Sequence, residues 1–212
     1  MAIQVNEIFH SIQGESSRAG EPCVFVRLTG CNLRCAYCDT RYAYEQGEFL
    51  EISEILERVR NLRCDLVEVT GGEPLLQADT PELIVKLLDA GHEVLLETNG
   101  SLDVGAVDAR CKRIVDIKCP SSGMAGRNDL RNLAKVGARD ELKFVLGSRE
   151  DYEFARHILE TMPDAECTIN FSPVFGALEP RILARWILGD RLAVRLNLQL
   201  HKLIWDPEAR GV

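Results

Sequence analysis

Short β-rich runs alternate with helix-period stripes along most of this 212-residue chain. That alternation limits the fold more than any other feature. The runs are PCVFVRL (22–28), DLVEVT (65–70), EVLLET (93–98), RIVDIK (113–118), ELKFVL (141–146) and CTINFS (167–172), followed by LAVRLNLQL (192–200). Between them, Ile52, Ile55, Leu56, Val59 and Leu62 recur at helical spacing, with Ser53 as the expected N-cap. Leu83, Ile84, Leu87 and Leu88 form a second stripe, with Thr80 as its cap and Pro81 at the first helical position. Phe154, Ala155, Ile158, Leu159 and Met162 make a third, and Ile182, Leu183, Trp186 and Ile187 a fourth. VDARC and LRNLAKV carry weaker helical patterns. Strands alternating with helices imply parallel βα units. Six such units are too few for a closed eight-fold barrel. The expectation is an α/β fold: an open, partial (βα)6 barrel with a mostly parallel sheet, in one domain spanning 1–212. In such barrels the chemistry sits at the C-terminal ends of the strands.

Buried parallel strands normally read as near-continuous apolar runs. These strands instead hold Arg27, Glu68, Thr70, Glu97, Asp116, Lys118, Lys143 and Asn170. Such residues either face solvent at an open edge or line a polar lumen. Both signs of charge recur on nearly every strand, and buried charges need partners, so a charge-balanced lumen is the better reading. In VRLNLQLH the alternation puts Arg195, Asn197, Gln199 and His201 on one face, as in a strand that is half-exposed or closes the mouth of the cavity. Net charge is −8, with no visible basic face, which argues against nucleic acid and for a small substrate. No apolar run approaches the ~18 residues that span a membrane. MAIQVNEIFHS lacks a basic region followed by an apolar stretch, so a cytoplasmic location is expected.

The segment GCNLRCAYCD (30–39) places Cys31, Cys35 and Cys38 in a C-x3-C-x2-C spacing. Three thiols cannot pair among themselves, and three do not fill a tetrahedral metal site. In a reducing cytosol, clustered cysteines read as ligands for zinc, copper(I) or an iron–sulfur cluster. A structural zinc site would want a fourth ligand, yet there is no second C-x2-C, and His10, His92, His157 and His201 stand alone. A cubane has four irons, so three cysteines leave one iron open to a chelating ligand. Cys23, Cys64, Cys111 and Cys167 read as small buried hydrophobes, while Cys119 falls at a strand end.

With Tyr37 before the last cysteine, this loop (29–47) resembles the signature of the radical S-adenosylmethionine enzymes. TGGEP (70–74) resembles their second motif, in which glycines allow close backbone approach and carbonyls with Glu73 accept from the methionine ammonium. The resemblance implies a 4Fe–4S cluster whose open iron binds S-adenosylmethionine and cleaves it to a 5′-deoxyadenosyl radical. ETNG (97–100), DIKCPSSG (116–123) and SPV (172–174) end further strands, so Asn99, Ser121 and Ser172 are candidates to reach the ribose or carboxylate of that cofactor.

FHSIQGE, VRLTGCNLRCAYCDT, VTGGEP, ETNGS, DIKCPSSG, LKFV and QLHKLIW together resemble the 7-carboxy-7-deazaguanine synthase (QueE) family over nearly the whole chain. That resemblance implies a trimmed barrel, a homodimer, and conversion of 6-carboxy-5,6,7,8-tetrahydropterin to 7-carboxy-7-deazaguanine and ammonia. The product leads to queuosine and other 7-deazapurines. By motif, Ile12, Gln13 and Gly14 would read the pterin, Arg27 its carboxylate, Thr70 the substrate and Gly72 the S-adenosylmethionine. Thr40 would ligate Mg²⁺. The radical would take hydrogen from C6, the ring would contract, and ammonia would leave. A flavodoxin or ferredoxin would supply the electron. No residue announces itself as the base; Glu15 and His201 are the candidates, and Glu15 could equally hold the pterin amines. Many members continue QGE with glycine, whereas here Ser16, Ser17, Arg18 and Ala19 precede Gly20. The tail WDPEARGV, with its terminal carboxylate in the C-terminal segment 191–212, either folds over the cavity or stays disordered. Two rivals share the three thiols: a glycyl-radical activase, which needs an open groove for a protein substrate, and a structural zinc or cluster module.

Overall fold

The structure, a computed structural model, describes residues 2–212. Among these residues the strands are β1 (Ala2–Ile12), β2 (Pro22–Leu28), β3 (Glu48–Glu51), β4 (Leu66–Gly71), β5 (Glu93–Thr98), β6 (Lys112–Ile117), β7 (Glu141–Leu146), β8 (Thr168–Pro173) and β9 (Arg195–Leu196). They form one sheet in the order β3-β1-β2-β4-β5-β6-β7-β8-β9. From β2 to β9 every neighbour is parallel, and β1 and β3 add an antiparallel flank. The two outermost strands do not pair, so the barrel is open, as expected.

The strand pattern in the sequence omitted β1 and β3. β1 carries a bulge, because its register with β2 shifts between Val5 and Glu7. One extra residue reverses which side chains face inward, so Ile3 and Val5 are buried before the bulge and Phe9 turns into the lumen after it. The final run also differs. Only Arg195 and Leu196 pair with β8, after which the Leu200 amide donates to the Gly14 carbonyl (2.9 Å) and the chain turns into a short helix.

The helices are α1 (Ile52–Asn61), α2 (Thr80–Asp89), α3 (Arg149–Glu160), α4 (Pro180–Asp190) and α5 (His201–Ile204). α1 is capped by Glu51 rather than Ser53: Glu51 and Glu54 form a reciprocal capping box, which satisfies two amides that one serine could not. Thr80 is the first residue of α2 instead of its cap, and its hydroxyl donates to the Pro74 carbonyl (2.6 Å). Two crossovers lack an α-helix. VDARC is a turn in which the Asp108 carboxylate accepts from the Arg110 amide. LRNLAKV forms a 3-10 turn (Leu130–Ala134) whose buried Asn132 accepts from the Val104 amide and donates to the Gly100 and Leu102 carbonyls.

Packing follows the alternation of each strand. On β2, Val24, Val26 and Leu28 pack outward with residues of α1 and α2, while Cys23 and Phe25 point into the lumen. α3 and α4 cover the outer face of β6, β7 and β8. Inside, Phe9, Phe25, Leu66, Leu95 and Ile114 close the floor, with the Phe9 and Phe25 rings stacked 5.0 Å apart across β1 and β2. Below them Ser17 and Lys112 both bond Glu141, whose carboxylate also accepts from Asn170. Asn170 therefore belongs to this lower layer and not to the cavity. Cys23, Cys111, Cys119 and Cys167 are buried, Cys64 is half-buried, and all eight cysteines are free thiols.

Asp151, in the first turn of α3, is fully buried and accepts from the Ser121 amide (2.8 Å), the Gly147 amide (2.7 Å) and the Ser121 hydroxyl. It ties the loop after β6 to the turn after β7. Asp151→Ala strands these donors and is expected to lower stability by about 2–3 kcal/mol, read as a lower urea midpoint with an unchanged slope.

Candidate active site

At the C-terminal ends of the parallel strands lies a cavity of about 710 Å³, within the range of small-molecule sites. Cys31, Cys35 and Cys38 border it from the loop that follows β2. That loop is pinned from several sides. The Ala36 amide donates to the Ser122 carbonyl (3.0 Å), and the Tyr37 hydroxyl to the Val145 carbonyl on β7 (3.2 Å). Asn99 sits at the end of β5 with its amide nitrogen 3.8 Å from Cys31 Sγ. Among the described residues no three histidine, cysteine or acidic side chains converge on one metal ion. The GGEP loop presses directly on this cavity wall: a Cβ on Gly72 would overlap the Gly30 carbonyl and the Cys31 side chain, so only glycine allows the approach.

Across the cavity stands a polar wall. Lys143 of β7 pairs with Glu97 of β5 (2.7 Å) and with Glu15. Glu15 also accepts from Gln199 (2.9 Å), and Gln13 donates its amide to Glu68. Arg27 is gripped at Nε by Glu7 (2.7 Å), whose same oxygen accepts from the Tyr42 hydroxyl (2.8 Å). The guanidinium lies 5.8 Å from the Phe9 ring centre and 5.9 Å from that of Tyr42. Lys118 pairs with Asp116 (2.7 Å), and Thr40 donates to Asp39 (3.0 Å). The mouth is crossed by the C-terminal segment. Lys202 bonds Asp39 (2.6 Å), Arg210 lies over the Tyr42 ring (4.2 Å), and residues 207–212 line the cavity. His201 packs so close to Gly14 that a Cβ there would overlap its ring.

The Radical SAM superfamily pattern matches residues 25–124. The chain is 52% identical to the 7-carboxy-7-deazaguanine synthase of Chlorobaculum tepidum, an alignment covering 99% of this chain and 97% of the relative. It is 43% identical to that of Koribacter versatilis, over 99% and 100%. The chain belongs to the 7-carboxy-7-deazaguanine synthase family. In fold it is similar to QueE from Escherichia coli, with a TM-score of 0.75, 24% identity and 95% of each chain covered. As a radical SAM family, it works with a 4Fe–4S cluster and S-adenosylmethionine on a small-molecule substrate.

Most of the residues singled out from motifs meet in this one cavity of the family fold. Ile12, Gln13, Gly14, Glu15, Arg27, Thr40, Thr70, Gly72, Asn99 and His201 all line it, with the three cysteines. Three others do not. Glu73 is fully buried, and its carboxylate accepts from the Asn99 amide (2.7 Å), the Thr98 hydroxyl (2.8 Å) and the Leu75 amide (3.0 Å). It braces the GGEP loop, and its carboxylate is not offered to an ammonium. Ser121 is held by Asp151, and Ser172 lies beneath Asn197 (3.3 Å), both off the cavity wall. Motif reasoning missed Glu7, Asp39, Tyr42 and Lys202; of the two courses open to the tail, residues 207–212 take the one over the cavity. Glu7 faces Arg27 in register across β1 and β2, a pairing visible only once β1 is recognised.

Burial works against several charges here. Burial alone would lift Glu15, but the Lys143 ammonium holds its carboxyl below the usual range. Burial alone would lower Lys143, yet Glu15 and Glu97 hold it well above its ordinary value. Glu68 is pushed up to about 8 by burial and by the Glu97 carboxylate. Burial lowers His201, which is therefore a neutral imidazole near pH 7.

Gly72→Ala is expected to preserve the far-UV circular dichroism spectrum. It should displace the cluster loop, reduce iron bound on reconstitution, and slow S-adenosylmethionine cleavage roughly 10–100-fold, the scale of a misplaced reacting group.

Proposed function

We propose that the chain is a carbon–nitrogen lyase that contracts the ring of 6-carboxy-5,6,7,8-tetrahydropterin to 7-carboxy-7-deazaguanine and releases ammonia, on the way to queuosine and related 7-deazapurines. The observation that carries this reading is the convergence in one cavity of three thiols, the Gln13 edge and Arg27, in a chain aligned end to end with synthases of that name. Residues 1–212 would act as one catalytic unit, with the cluster loop at 29–47 and the closing segment at 191–212.

Cys31, Cys35 and Cys38 would hold the cluster, which would supply the single electron for reductive cleavage of S-adenosylmethionine. Gly72 and Asn99, beside Cys31, are the groups on this wall for the methionine and ribose. Arg27 has Nε occupied by Glu7, which leaves its two terminal nitrogens for a carboxylate in the two-pronged geometry guanidinium favours. Gln13 and the Ile12–Gly14 backbone would face the amino and oxo groups of the pterin. Glu15, held ionised by Lys143, suits the role of acceptor for pterin N–H groups. His201 is neutral at pH 7 and borders the same space, so it is the better choice of base for the proton lost as the pyrrole aromatises. Thr40 with substrate oxygens and water would complete a Mg²⁺ shell, since that ion takes few protein ligands. The 207–212 segment across the mouth would keep water from the radical.

Likeness over the full length to synthases that carry the name favours this reading over a glycyl-radical activase. A flavodoxin or ferredoxin is the expected electron donor, a homodimer the expected assembly, and the reducing cytoplasm the expected location.

The decisive assay mixes reconstituted protein, reductant, S-adenosylmethionine and the carboxytetrahydropterin without oxygen. Mass spectrometry should find the deazaguanine carboxylate, with S-adenosylmethionine not consumed in proportion. Formation of 5′-deoxyadenosine with the pterin untouched would remove the substrate assignment. Cys31→Ala, Cys35→Ala and Cys38→Ala should each abolish cleavage.

Thr40→Ala gives a separate check on the Mg²⁺ site. Half-maximal turnover should require several-fold more Mg²⁺, with iron content unchanged. An identical titration curve would take Thr40 out of that site.

A further inference from the structure

Glu68 is a buried carboxyl in the cavity wall for which the mechanism above has no use. It projects from β4, level with Phe25 of β2 and Leu95 of β5, where the apolar floor meets the polar wall. Its side chain borders the cavity and the residue is only 3% exposed. One oxygen accepts from the Gln13 side-chain amide. The other end of that amide is also committed, since Gln13 Oε1 accepts from the Glu15 backbone amide (3.0 Å). Glu68 and Glu15 thus fix both the position and the orientation of the Gln13 amide.

We infer that Glu68 is a further positioning residue for the pterin, which holds the Gln13 amide in place from below. This inference rests on the proposed pterin substrate.

The charges around Glu68 explain why it stays neutral. Glu97 faces it from β5, Glu15 from the loop after β1, Lys143 from β7 and the Cys23 thiol from β2. Lys143 is the one cation in this group, and its ion pairs are with Glu15 and Glu97. A third carboxylate would stand unpaired beside Phe25 and Leu95, which burial strongly disfavours. Glu68 therefore keeps its proton up to about pH 8. Above that pH it adds a negative charge to a cavity that must accept a carboxylate-bearing substrate.

The test is steady-state kinetics of the reconstituted enzyme and two variants from pH 6.5 to 9.5. Glu68→Ala frees the Gln13 amide and should raise the KM for the pterin about tenfold, the scale of one buried hydrogen bond. The KM for S-adenosylmethionine should move much less. Glu68→Gln restores a neutral partner for Gln13, so it should rescue most of that loss. In the wild type the pterin KM should climb above about pH 8, and in Glu68→Gln that climb should vanish. If Glu68→Ala does not fold, the pH profile of Glu68→Gln decides alone. The same alkaline climb in Glu68→Gln, or equal KM shifts for both substrates in Glu68→Ala, overturns the assignment. Failure of the wild type to turn over the pterin overturns the functional reading, and this inference with it. Normal wild-type turnover with indifferent variants overturns this inference alone.

Discussion

The ammonium of Lys143 joins walls that the sheet itself leaves apart. Because the edge strands β3 and β9 do not pair with each other, backbone hydrogen bonds never close this barrel. Lys143 reaches from β7 to Glu97 on β5 and to Glu15 beyond the end of β1, and Glu15 passes the link to Gln199 in the C-terminal segment. A buried ammonium is tolerable only with such partners. Removing one member of a buried pair typically costs about 3–5 kcal/mol, because the remaining charge is left uncompensated. The same side chains that cross-link the lumen also face the cavity, so rigidity of the open barrel and the polar lining of the site have one source. This accounts for strands that break the apolar rule for parallel sheets. Their outer faces obey it under the helices, and their inner faces obey it at the floor, where Phe25, Leu95 and Ile114 meet.

The second constraint is close approach of loops at the strand ends. The cluster loop, the GGEP loop and the Asn99 turn occupy one small volume. Gly72 allows backbone contact with Gly30 and Cys31, and Glu73 gathers the amides of Leu75 and Asn99 that this crowding would otherwise leave without acceptors. A carboxylate placed among backbone donors is anchored by them. The motif is therefore a brace for the wall that carries the three cysteines.

This division marks how far the sequence was legible. The six central strands, the four long helices, the thiol loop and the polar lumen follow from period and spacing, because each is a local pattern that burial then enforces. β1 was hidden by its bulge, which breaks the alternation midway, and β3 by its length of four residues with Phe49 exposed at the edge. Which motif residues face the cavity was less legible. TGGEP and DIKCPSSG sit at strand ends as expected, yet Glu73 and Ser121 turn toward partners, Asn99 and Asp151, that come from other segments of the chain. Such choices are tertiary, and no spacing rule within one segment encodes them. The departure at Ser16 shows the converse. Its φ of 63° lies in the region that favours glycine, and its hydroxyl accepts from the Arg18 amide (3.1 Å), so a serine holds the turn that glycine commonly makes. The Ile12–Gly14 edge keeps its support: the Gln13 amide bonds the Glu21 carbonyl and the Gly20 amide bonds the Gln13 carbonyl, both at 2.8 Å.

The C-terminal segment is where these constraints combine. Its alternation of polar and apolar residues reads as a strand, yet the Gly14 carbonyl captures Leu200 and the helix that starts at His201 redirects the chain across the mouth. Four of its polar residues then meet groups from different parts of the fold. Gln199 meets Glu15, His201 packs on Gly14, Lys202 meets Asp39 beside Cys38, and Arg210 covers Tyr42, the residue that with Glu7 frames Arg27. The segment therefore touches the cluster loop, the Gln13–Glu15 edge and the frame around Arg27 at once. Access to the cavity and order in all three regions are set by the same few contacts.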